Sequence, residues 1–397
     1  MKLGVIAHDL TQPAVRGLSR YTAGLVNALA ATGGADIVLF ARAPLAESYR
    51  NLPGERCIWP GAREVSWEQW DLPRKAAAHG VQILHAPSNR GLCAFAHCPT
   101  VVTRHDEIER LFPPDFPGSL RSRFRMRYSD EISIRRADAV ATISETSRRD
   151  ILATWRLPEE RVVVTSEGID DRFFGQISDR EMQRVAGKYN LTSPYIFYLG
   201  GLDKRKDVVT LVEAYAAWNR PDVRCVIAGP TRGELAEVKR RITAYGLNEA
   251  RVALLGEVDD HDVPALYAGA SCFVYPSRYE GFGLQAIEAM AMGVPVIASD
   301  GGALPEVVGD AGLLFPVGDA QTLAGRLAML SDDANLRAHL VGRGRTRAED
   351  FRWEKVVPNY LDLYRHLCGR SSTVSAASRI PQSPASSPHP LDPPSPQ

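Results

Sequence analysis

The feature that most constrains the fold is an alternation of short β-branched runs with longer amphipathic stretches, almost from end to end of the chain. The short runs predict strands, whereas apolar residues at helical spacing, such as Tyr21, Leu25 and Leu29, predict helices between them. This alternation is typical of βα units wound around parallel sheets. The sequence therefore predicts an α/β fold.

The predicted strands form two groups with a polar stretch between them. The first group is 2–7, 37–40, 82–85, 100–103, 139–143 and 162–165. The second group is 195–199, 225–228, 252–255, 272–275 and 294–298. From about 174 to 193 the strand pattern stops, and we place the interdomain linker there. We predict two facing Rossmann-like domains, at 1–175 and 194–350, with ligands in the cleft between them, beyond the carboxyl ends of the strands.

Composition argues against several classes of protein. The 397 residues are enough for roughly two to three domains, and the 47 basic residues balance the 47 acidic ones, so nothing indicates a nucleic acid as the main partner. The apolar stretches are far shorter than the ~18–20 residues of a membrane span, and the amino terminus does not resemble a signal peptide. We therefore expect a cytoplasmic protein.

Cysteine spacing indicates the state of the thiols, and the composition of the last residues indicates a tail. The six cysteines are irregularly spaced, which is typical of reduced thiols rather than of a disulfide framework. Cys93, His97, Cys98 and His85 lack paired C-x-x-C spacing, so we predict no metal site. Residues 371–397 are rich in Ser, Pro and Ala, which predicts a disordered tail, with a proline-rich binding segment as the alternative.

The strongest chemical signal is the segment Glu280-Gly-Phe-Gly-Leu-Gln-Ala-Ile-Glu288, which follows a predicted strand. If a helix begins near Gly283, the amides of Phe282, Gly283 and Leu284 lie at the positive end of its dipole, which suits a phosphate. Glu288, one turn after Leu284, can accept two hydroxyl donors, as from a ribose. The alternative is a glycine turn followed by an ordinary surface glutamate.

A second signal is the basic loop Asp203-Lys-Arg-Lys-Asp207, which follows the predicted strand at 195–199. Arg205 and Lys206 could neutralise a pyrophosphate, without a metal, as its bond to a sugar breaks. A basic loop is often only solvated, but a position at the carboxyl end of a strand favours a binding site.

Together these residues resemble glycosyltransferase family 4, the retaining enzymes of the GT-B fold that take sugars from nucleotide diphosphates. The resemblance covers roughly residues 1–369. It includes the E-x7-E pattern at Glu280 and Glu288 and the loop of Arg205 and Lys206. It also includes R-G-L-S-R-Y-T at 16–22, R-A-D-A-V-A-T-I-S-E at 136–145, V-V-V-T-S-E-G-I-D at 162–170 and F-R-W-E-K near Trp353.

The resemblance implies a role for each matching residue of the second half. Arg205 and Lys206 would bind the pyrophosphate of the donor, and Glu288 its ribose. The groups that would hold the donor sugar and the distal phosphate are Glu280 and the amides of Gly281, Phe282, Gly283 and Leu284. Backbone groups near Glu257 and Val258 would recognise the base.

Two residues of the first half also match. Gly17 would let the amino-terminal domain approach the phosphate closely, because a residue without a Cβ allows this most easily, or it serves only the turn before a helix. His105, at the end of a strand and beside Asp106, matches a histidine that contacts the donor sugar. The resemblance also implies that a helix at about 353–369 packs on the amino-terminal domain.

The chain departs from the family pattern at a few positions. Val15 and Arg16 replace glycines that many relatives carry, and Gly201 or its neighbour replaces an arginine. Glu167 stands where relatives often have Asn. These departures leave Arg205 and Lys206 as the main phosphate cations, and they leave the role of the loop around Glu167 open.

A basic helix in the first half raises the question of a membrane. Its arginines are Arg121, Arg123, Arg125, Arg127, Arg135 and Arg136. Since many relatives build lipid-linked glycans, the resemblance implies a peripheral contact with the inner face of a membrane, where each arginine adds about 1 kcal/mol of attraction. The alternative is a solvated helix face, because the spacing does not form one stripe.

We therefore expect a retaining, metal-independent hexosyltransferase. It would move a hexose such as mannose from a GDP- or UDP-linked donor, with no other cofactor, to a glycan or lipid-linked acceptor in surface polysaccharide biosynthesis. The alternative within the fold is a nucleotide-sugar epimerase or a phosphorylase. A solute-binding protein would need a secretion signal, and a dehydrogenase would need a G-x-G-x-x-G motif after the strand at 2–7 or 195–199.

Overall fold

A computed structural model describes residues 1–12, 17–59, 64–89, 91–113, 120–191, 194–231 and 233–369, without the side chains of 64 and 120–126. The chain divides into two compact units. The first domain consists of the described residues of 1–107, 117–168 and 352–369, and the second of those of 108–116 and 169–351. The boundary after Gly168 precedes the predicted linker at 174–193. The predicted tail at 371–397 lies outside the described residues.

Each domain contains one parallel sheet. The strands of the first are β1 (Lys2–Ile6), β2 (Asp36–Ala41), β3 (Glu55–Ile58), β4 (Ile83–Ala86), β5 (Thr100–Thr103), β6 (Ala139–Thr142) and β7 (Val162–Val164), in the order β3-β2-β1-β4-β5-β6-β7. Those of the second are β8 (Tyr195–Leu199), β9 (Arg224–Ala228), β10 (Val252–Gly256), β11 (Cys272–Tyr275), β12 (Val296–Ser299) and β13 (Leu313–Phe315), in the order β10-β9-β8-β11-β12-β13. The two predicted doubly wound domains are confirmed, whereas β3 and β13 were not predicted.

Helices connect the strands. They are α1 (Gly17–Ala31), α2 (Glu64–Ser66), α3 (Leu72–Ala78), α4 (Ile108–Leu111), α5 (Leu120–Arg136), α6 (Glu145–Trp155), α7 (Asp179–Lys188), α8 (Val208–Trp218), α9 (Leu235–Ala244), α10 (Val263–Ala268), α11 (Leu284–Ala291), α12 (Leu304–Val308), α13 (Ala320–Asp332), α14 (Ala334–Glu349) and α15 (Trp353–Leu367). A π-helical segment, Trp67–Asp71, joins α2 to α3. Among the described residues, no helix has both the length and the apolar character that a bilayer crossing needs.

The carboxyl-terminal helix α15 completes the core of the first domain. Its residues Val356, Tyr360 and Tyr364 are buried in the same apolar cluster as residues of β1 and α1. The ring of Trp353 lies so close to Gly24 and Gly168 that a Cβ on either glycine would be 2.3 or 2.4 Å from it. Burial of each such large side chain stabilises the fold by about 1.5–3 kcal/mol.

Candidate active site

The site of the second domain forms where two neighbouring strands end. Arg205 and Lys206 lie in the 3₁₀ turn Lys204–Lys206 after β8, and Glu280 lies in the loop after β11. Strands β8 and β11 pair directly in the sheet. Because parallel strands end at the same edge, these two loops come together although Lys206 and Glu280 are 74 positions apart in sequence.

The carboxylate of Glu280 joins both cations in a charged cluster (Arg205, Lys206 and Glu280). Its Oε1 accepts from Nζ of Lys206 at 2.6 Å, and its Oε2 lies 2.9 Å from Nη1 of Arg205. The three side chains are only 9–12% exposed. Burial alone would raise the pKa of Glu280, but Lys206 and Arg205 outweigh it and lower that pKa to about 2. The cluster therefore holds two cations around one ionised carboxylate, with a second carboxylate, Asp203, 3.9 Å from Nε of Arg205.

Helix α11 begins beside the charged cluster. Its amino-terminal cap is Gly283, whose φ of 125° favours glycine. Within the described part of the chain, the N–H groups of Phe282, Gly283 and Leu284 have no hydrogen-bond partner. Unpaired amides at the positive end of a helix dipole bind anions. The charged cluster and these amides together form a site suited to a phosphate or diphosphate.

Side chains that the sequence did not single out support this site. The hydroxyl of Tyr275 donates to Oε1 of Gln285, in the first turn of α11, at 2.8 Å and accepts from Nζ of Lys206 at 3.4 Å. Gly302, with a φ of 62°, lies so close to Glu280 that a Cβ would be 2.4 Å from the Glu280 carbonyl oxygen. The glycine pair Gly301 and Gly302 after β12 was the sequence signal that could have revealed this packing.

In the first domain, His105 follows β5 and is held from three sides. Its backbone N–H donates to Oδ1 of Asn89 at 2.8 Å, its ring lies edge-on to Tyr21 at 4.5 Å, and its Nε2 lies 2.9 Å from the carbonyl oxygen of Pro87. A carbonyl only accepts, so Nε2 carries the proton. Burial lowers the pKa of His105 to about 4, so the ring is neutral and its Nδ1 is an acceptor for a hydroxyl group.

A neutral hydrogen-bond chain (Tyr21, His85, Thr103, Tyr360 and Tyr364) lies next to this histidine. The Tyr21 hydroxyl is 2.9 Å from Oγ1 of Thr103 and 2.8 Å from the Tyr360 hydroxyl. His85 bridges Thr103 through Nε2 at 2.8 Å and Tyr364 through Nδ1 at 2.7 Å. Burial lowers the pKa of His85 to about 3, so it is uncharged at neutral pH. The chain ties α15 and α1 to the sheet.

Family models match both halves of the chain. Glycosyltransferase Family 4 matches residues 15–173, and Glycosyl transferases group 1 matches residues 179–347. The O-antigen chain mannosyltransferase B of Escherichia coli is 34% identical over 271 residues, which cover 67% of this chain and 70% of that protein. The chain belongs to glycosyltransferase family 4.

Two further similarities place this family member among known proteins. The serotype-specific mannosyltransferase WbdA of Escherichia coli is 28% identical over 283 residues, which are 70% of this chain but only 34% of WbdA. The solved structure of Anabaena Alr3699/HepE in complex with UDP and glucose superposes with a TM-score of 0.73 at 20% identity, covering 92% of this chain and 100% of that one. The predicted family and the GT-B fold are confirmed, and the chain is a glycosyltransferase.

The remaining residues predicted for the glycosyltransferase site lie in several places. Glu288, on α11, is 4% exposed and accepts a hydrogen bond from the Tyr267 hydroxyl at 3.1 Å. Glu257 is exposed and Val258 is half-buried, directly after β10, which lies two strands from β8 in the sheet. Gly281 is buried between Glu280 and the first amides of α11.

Gly17 is the first residue of α1 and is exposed, rather than part of the preceding loop. No atom of the described chain lies within 4 Å of the position that a Cβ would take there. Its φ is not in the left-handed region either. Neither the packing nor the backbone of the first domain therefore requires a glycine at this position. The neighbouring Arg16, and the side chains of Arg121, Arg123 and Arg125, lie outside the described residues.

Proposed function

We propose that this glycosyltransferase moves a mannose residue, with retention of configuration and without a metal ion, from a nucleotide diphosphate sugar to a glycan or lipid-linked acceptor in surface polysaccharide assembly. Two similar proteins are mannosyltransferases, and the superposed Anabaena structure contains UDP and glucose. The observation that carries the proposal is the charged cluster beside the unpaired amides of α11, because its two cations and these amides can all donate hydrogen bonds to a diphosphate.

In the proposed reaction, the bond between the anomeric carbon and the phosphate oxygen breaks while a bond to the acceptor oxygen forms on the same face. The acceptor proton passes to the departing phosphate oxygen. Arg205, Lys206 and the amides of Phe282 to Leu284 stabilise the charge that develops on the diphosphate, and loss of one such donor typically slows a reaction about 10²- to 10³-fold. Glu280 orients the two cations, since both of its oxygens are bound to them.

Glu288 is proposed to accept the hydroxyl groups of the ribose. Its burial and the hydrogen bond from Tyr267 fix its carboxylate on α11, one turn after Leu284. A buried carboxylate pays a desolvation cost that hydroxyl donors offset, which is consistent with a ligand contact.

Nucleotide binding tests the proposal without any acceptor. Calorimetry with GDP, UDP, ADP and dTDP should give one clear binder, and Glu288→Ala should lose it while Glu249→Ala, an exposed glutamate of the same domain, should not. With GDP-mannose and a mannose-terminated oligosaccharide, NMR of the new linkage should show the α-configuration of the donor, and EDTA should leave the rate unchanged. Absence of binding by all four nucleotides would overturn the site.

We also propose that the first domain touches an anionic membrane surface. Trp59, Trp70 and Phe95 are 46%, 63% and 76% exposed, and Nζ of Lys75 and the guanidinium of Arg136 lie 4.0 and 5.3 Å from the ring centres of Trp59 and Phe95. Exposed aromatic rings beside cations suit a membrane interface.

Sedimentation with phosphatidylglycerol vesicles tests this contact. The double variant Trp70→Ser and Phe95→Ser should bind them more weakly, whereas Tyr245→Ser, which changes an exposed aromatic residue of the second domain, should bind like the wild type. Equal binding by all three proteins, or equal binding to neutral phosphatidylcholine, would contradict the proposal.

A further inference from the structure

One half-buried aspartate of the first domain, Asp9, has no part in the site described above, and its Oδ1 atom is buried. Asp9 opens the 3₁₀ turn Asp9–Thr11, which follows β1. The turn is fixed on both sides: Leu10 is fully buried and its carbonyl accepts from the N–H of Ala46 at 2.8 Å, while the Thr11 hydroxyl donates to the His8 carbonyl at 2.7 Å. The backbone of Asp9 is therefore anchored at the carboxyl edge of the sheet, where ligands bind in parallel folds.

The two carboxylate oxygens of Asp9 have different surroundings. Oδ2 accepts from the hydroxyl of Thr22, a fully buried residue of α1, at 2.6 Å. Oδ1 is also buried but has no hydrogen-bond partner among the described residues, and no described cation forms an ion pair with Asp9. Burial raises the pKa of Asp9 to about 6. Because a buried carboxylate oxygen without a hydrogen bond is costly, Oδ1 is suited to accept one from a ligand.

The side chains at this edge of the sheet indicate which kind of ligand can donate to Asp9. In the sheet order, only β4 separates β1 from β5, so Asp9 and His105 lie at the same edge. Oδ1 of Asp9 and Nδ1 of His105 are both hydrogen-bond acceptors. An anionic group would be repelled by the carboxylate, whereas a neutral hydroxyl-rich ligand can donate to both atoms.

We propose that Asp9 binds the sugar acceptor by accepting a hydrogen bond from one of its hydroxyl groups at Oδ1. The inference rests on the proposed transferase function and deepens it, because it assigns an acceptor contact to a residue that no sequence motif marks. It also restricts the acceptor to a sugar that presents a neutral hydroxyl group here, rather than a carboxylate or a phosphate.

Steady-state kinetics of the full chain with GDP-mannose and a mannose-terminated oligosaccharide test the proposal. Asp9→Asn and Asp9→Ala should lower kcat/KM for the oligosaccharide about 10- to 100-fold, as expected for a hydrogen bond to a charged group. The KM for GDP-mannose and calorimetric binding of GDP should stay unchanged. Tm should not fall in Asp9→Asn, because its amide oxygen still accepts from the Thr22 hydroxyl while the buried charge is removed. The control is Asp36→Asn, an exposed carboxylate at the opposite edge of the same sheet.

Three outcomes would overturn the proposal. Unchanged kinetics with the oligosaccharide would show that Asp9 makes no acceptor contact. A lower Tm together with an equal loss for both substrates would show a structural role, and a selective rise in the KM for GDP-mannose would place the carboxylate at the donor sugar. Failure of the proposed transferase function would be distinguishable from these outcomes, because the wild type itself would then show no transfer. The assignment of Asp9 would be refuted in that case as well.

Discussion

Two buried polar networks, one in each domain, satisfy their polar groups in opposite ways. In the first, the members of the neutral hydrogen-bond chain bond to one another and to the Ser166 carbonyl, and they join α15 and α1 to the sheet. In the second, the charged cluster has more cations than carboxylates and lies beside unpaired amides. A polar network that is complete within the protein rigidifies the fold, whereas one that is incomplete has groups that a ligand can satisfy. This difference distinguishes residues that stabilise the fold from residues that bind a ligand, although both kinds are equally buried.

Removal of the single carboxylate from the charged cluster should have the largest effect. Glu280→Gln removes the carboxylate that both buried cations share, so we expect the free energy of unfolding to fall by about 3–5 kcal/mol, although Asp203 still lies 3.9 Å from Nε of Arg205. Added pyrophosphate should then raise Tm more in the variant than in the wild type, as thermal unfolding with and without pyrophosphate will show. Tyr360→Phe, in the neutral hydrogen-bond chain, should lose only about 1–2 kcal/mol and should not respond to pyrophosphate. Equal responses would remove the distinction between the two networks.

Acid should weaken the first domain before the second. Burial lowers the pKa values of His85 and His105 from 6.5 to about 3 and about 4. Each neutral ring therefore contributes fully to the free energy of unfolding above pH 6.5, and this contribution is lost as the pH falls toward the lowered pKa. At pH 5 each histidine has lowered the free energy of unfolding by about 2 kcal/mol. Asp9, whose pKa is raised to about 6, has the opposite effect and increases the free energy of unfolding by about 1 kcal/mol over the same range. Glu280 loses its contribution only below about pH 4.5.

Hydrogen exchange followed by mass spectrometry at pH 7 and pH 5, corrected for intrinsic rates, measures each domain separately. Peptides from β4 and β5 should lose protection by a net amount of about 3 kcal/mol, while peptides from β8 and β11 should not. His339→Gln, which changes an exposed histidine of the second domain, serves as the control and should leave the profile unchanged. Uniform loss in both domains would contradict the prediction.

Loss of one cation should slow transfer without unfolding the protein. Lys206→Ala should lower kcat about 10²-fold, because it removes charge stabilisation of the departing diphosphate. Lys239→Ala, which changes an exposed lysine on α9, should keep the rate of the wild type. Turnover measured with GDP-mannose checks both, and wild-type turnover by Lys206→Ala would refute the role of this residue.

The smallest effect should come from Gly17→Ala. Since the described chain leaves room for a Cβ there and the backbone does not need glycine, stability should rise by up to about 1 kcal/mol from the higher helix propensity of Ala. If Gly17 allows close approach to the donor phosphate, kcat/KM for the donor should nevertheless fall about 10-fold, a change of about 1.4 kcal/mol. Gly342→Ala, at an equally open helical position of α14, should leave kcat/KM unchanged.

The sequence predicted the elements whose pattern is local. The central strands consist of apolar, aromatic and β-branched residues, so β5, β8 and β11 begin and end where predicted. The strand β3 was missed because its sequence, Glu-Arg-Cys-Ile, is partly charged and exposed at the sheet edge. The helix α7 was missed in the predicted linker because only Val185 is buried on it, while the Ser178 side chain caps its start.

The contacts within the site could not be predicted without the order of the strands in the sheet. The sequence pointed to Glu280 and to Lys206, but only the pairing of β8 with β11 brings them within 2.6 Å. Tyr275 looked like an ordinary residue of a buried strand, because its contacts with Lys206 and Gln285 arise across two loops. Asp9 carries no motif, so its unpaired oxygen is visible only after burial is known.

The position of α15 also sets the order in which the protein can be made. The ribosome releases the first domain's sheet long before residues 352–369, yet Val356, Tyr360 and Tyr364 belong to that sheet's apolar core. The second domain is encoded entirely upstream of α15. During translation the apolar surface that α15 covers in the folded domain therefore stays exposed until α15 leaves the ribosome. A chaperone can bind this surface in the meantime. Synthesis of the second domain sets the minimum duration of that exposure.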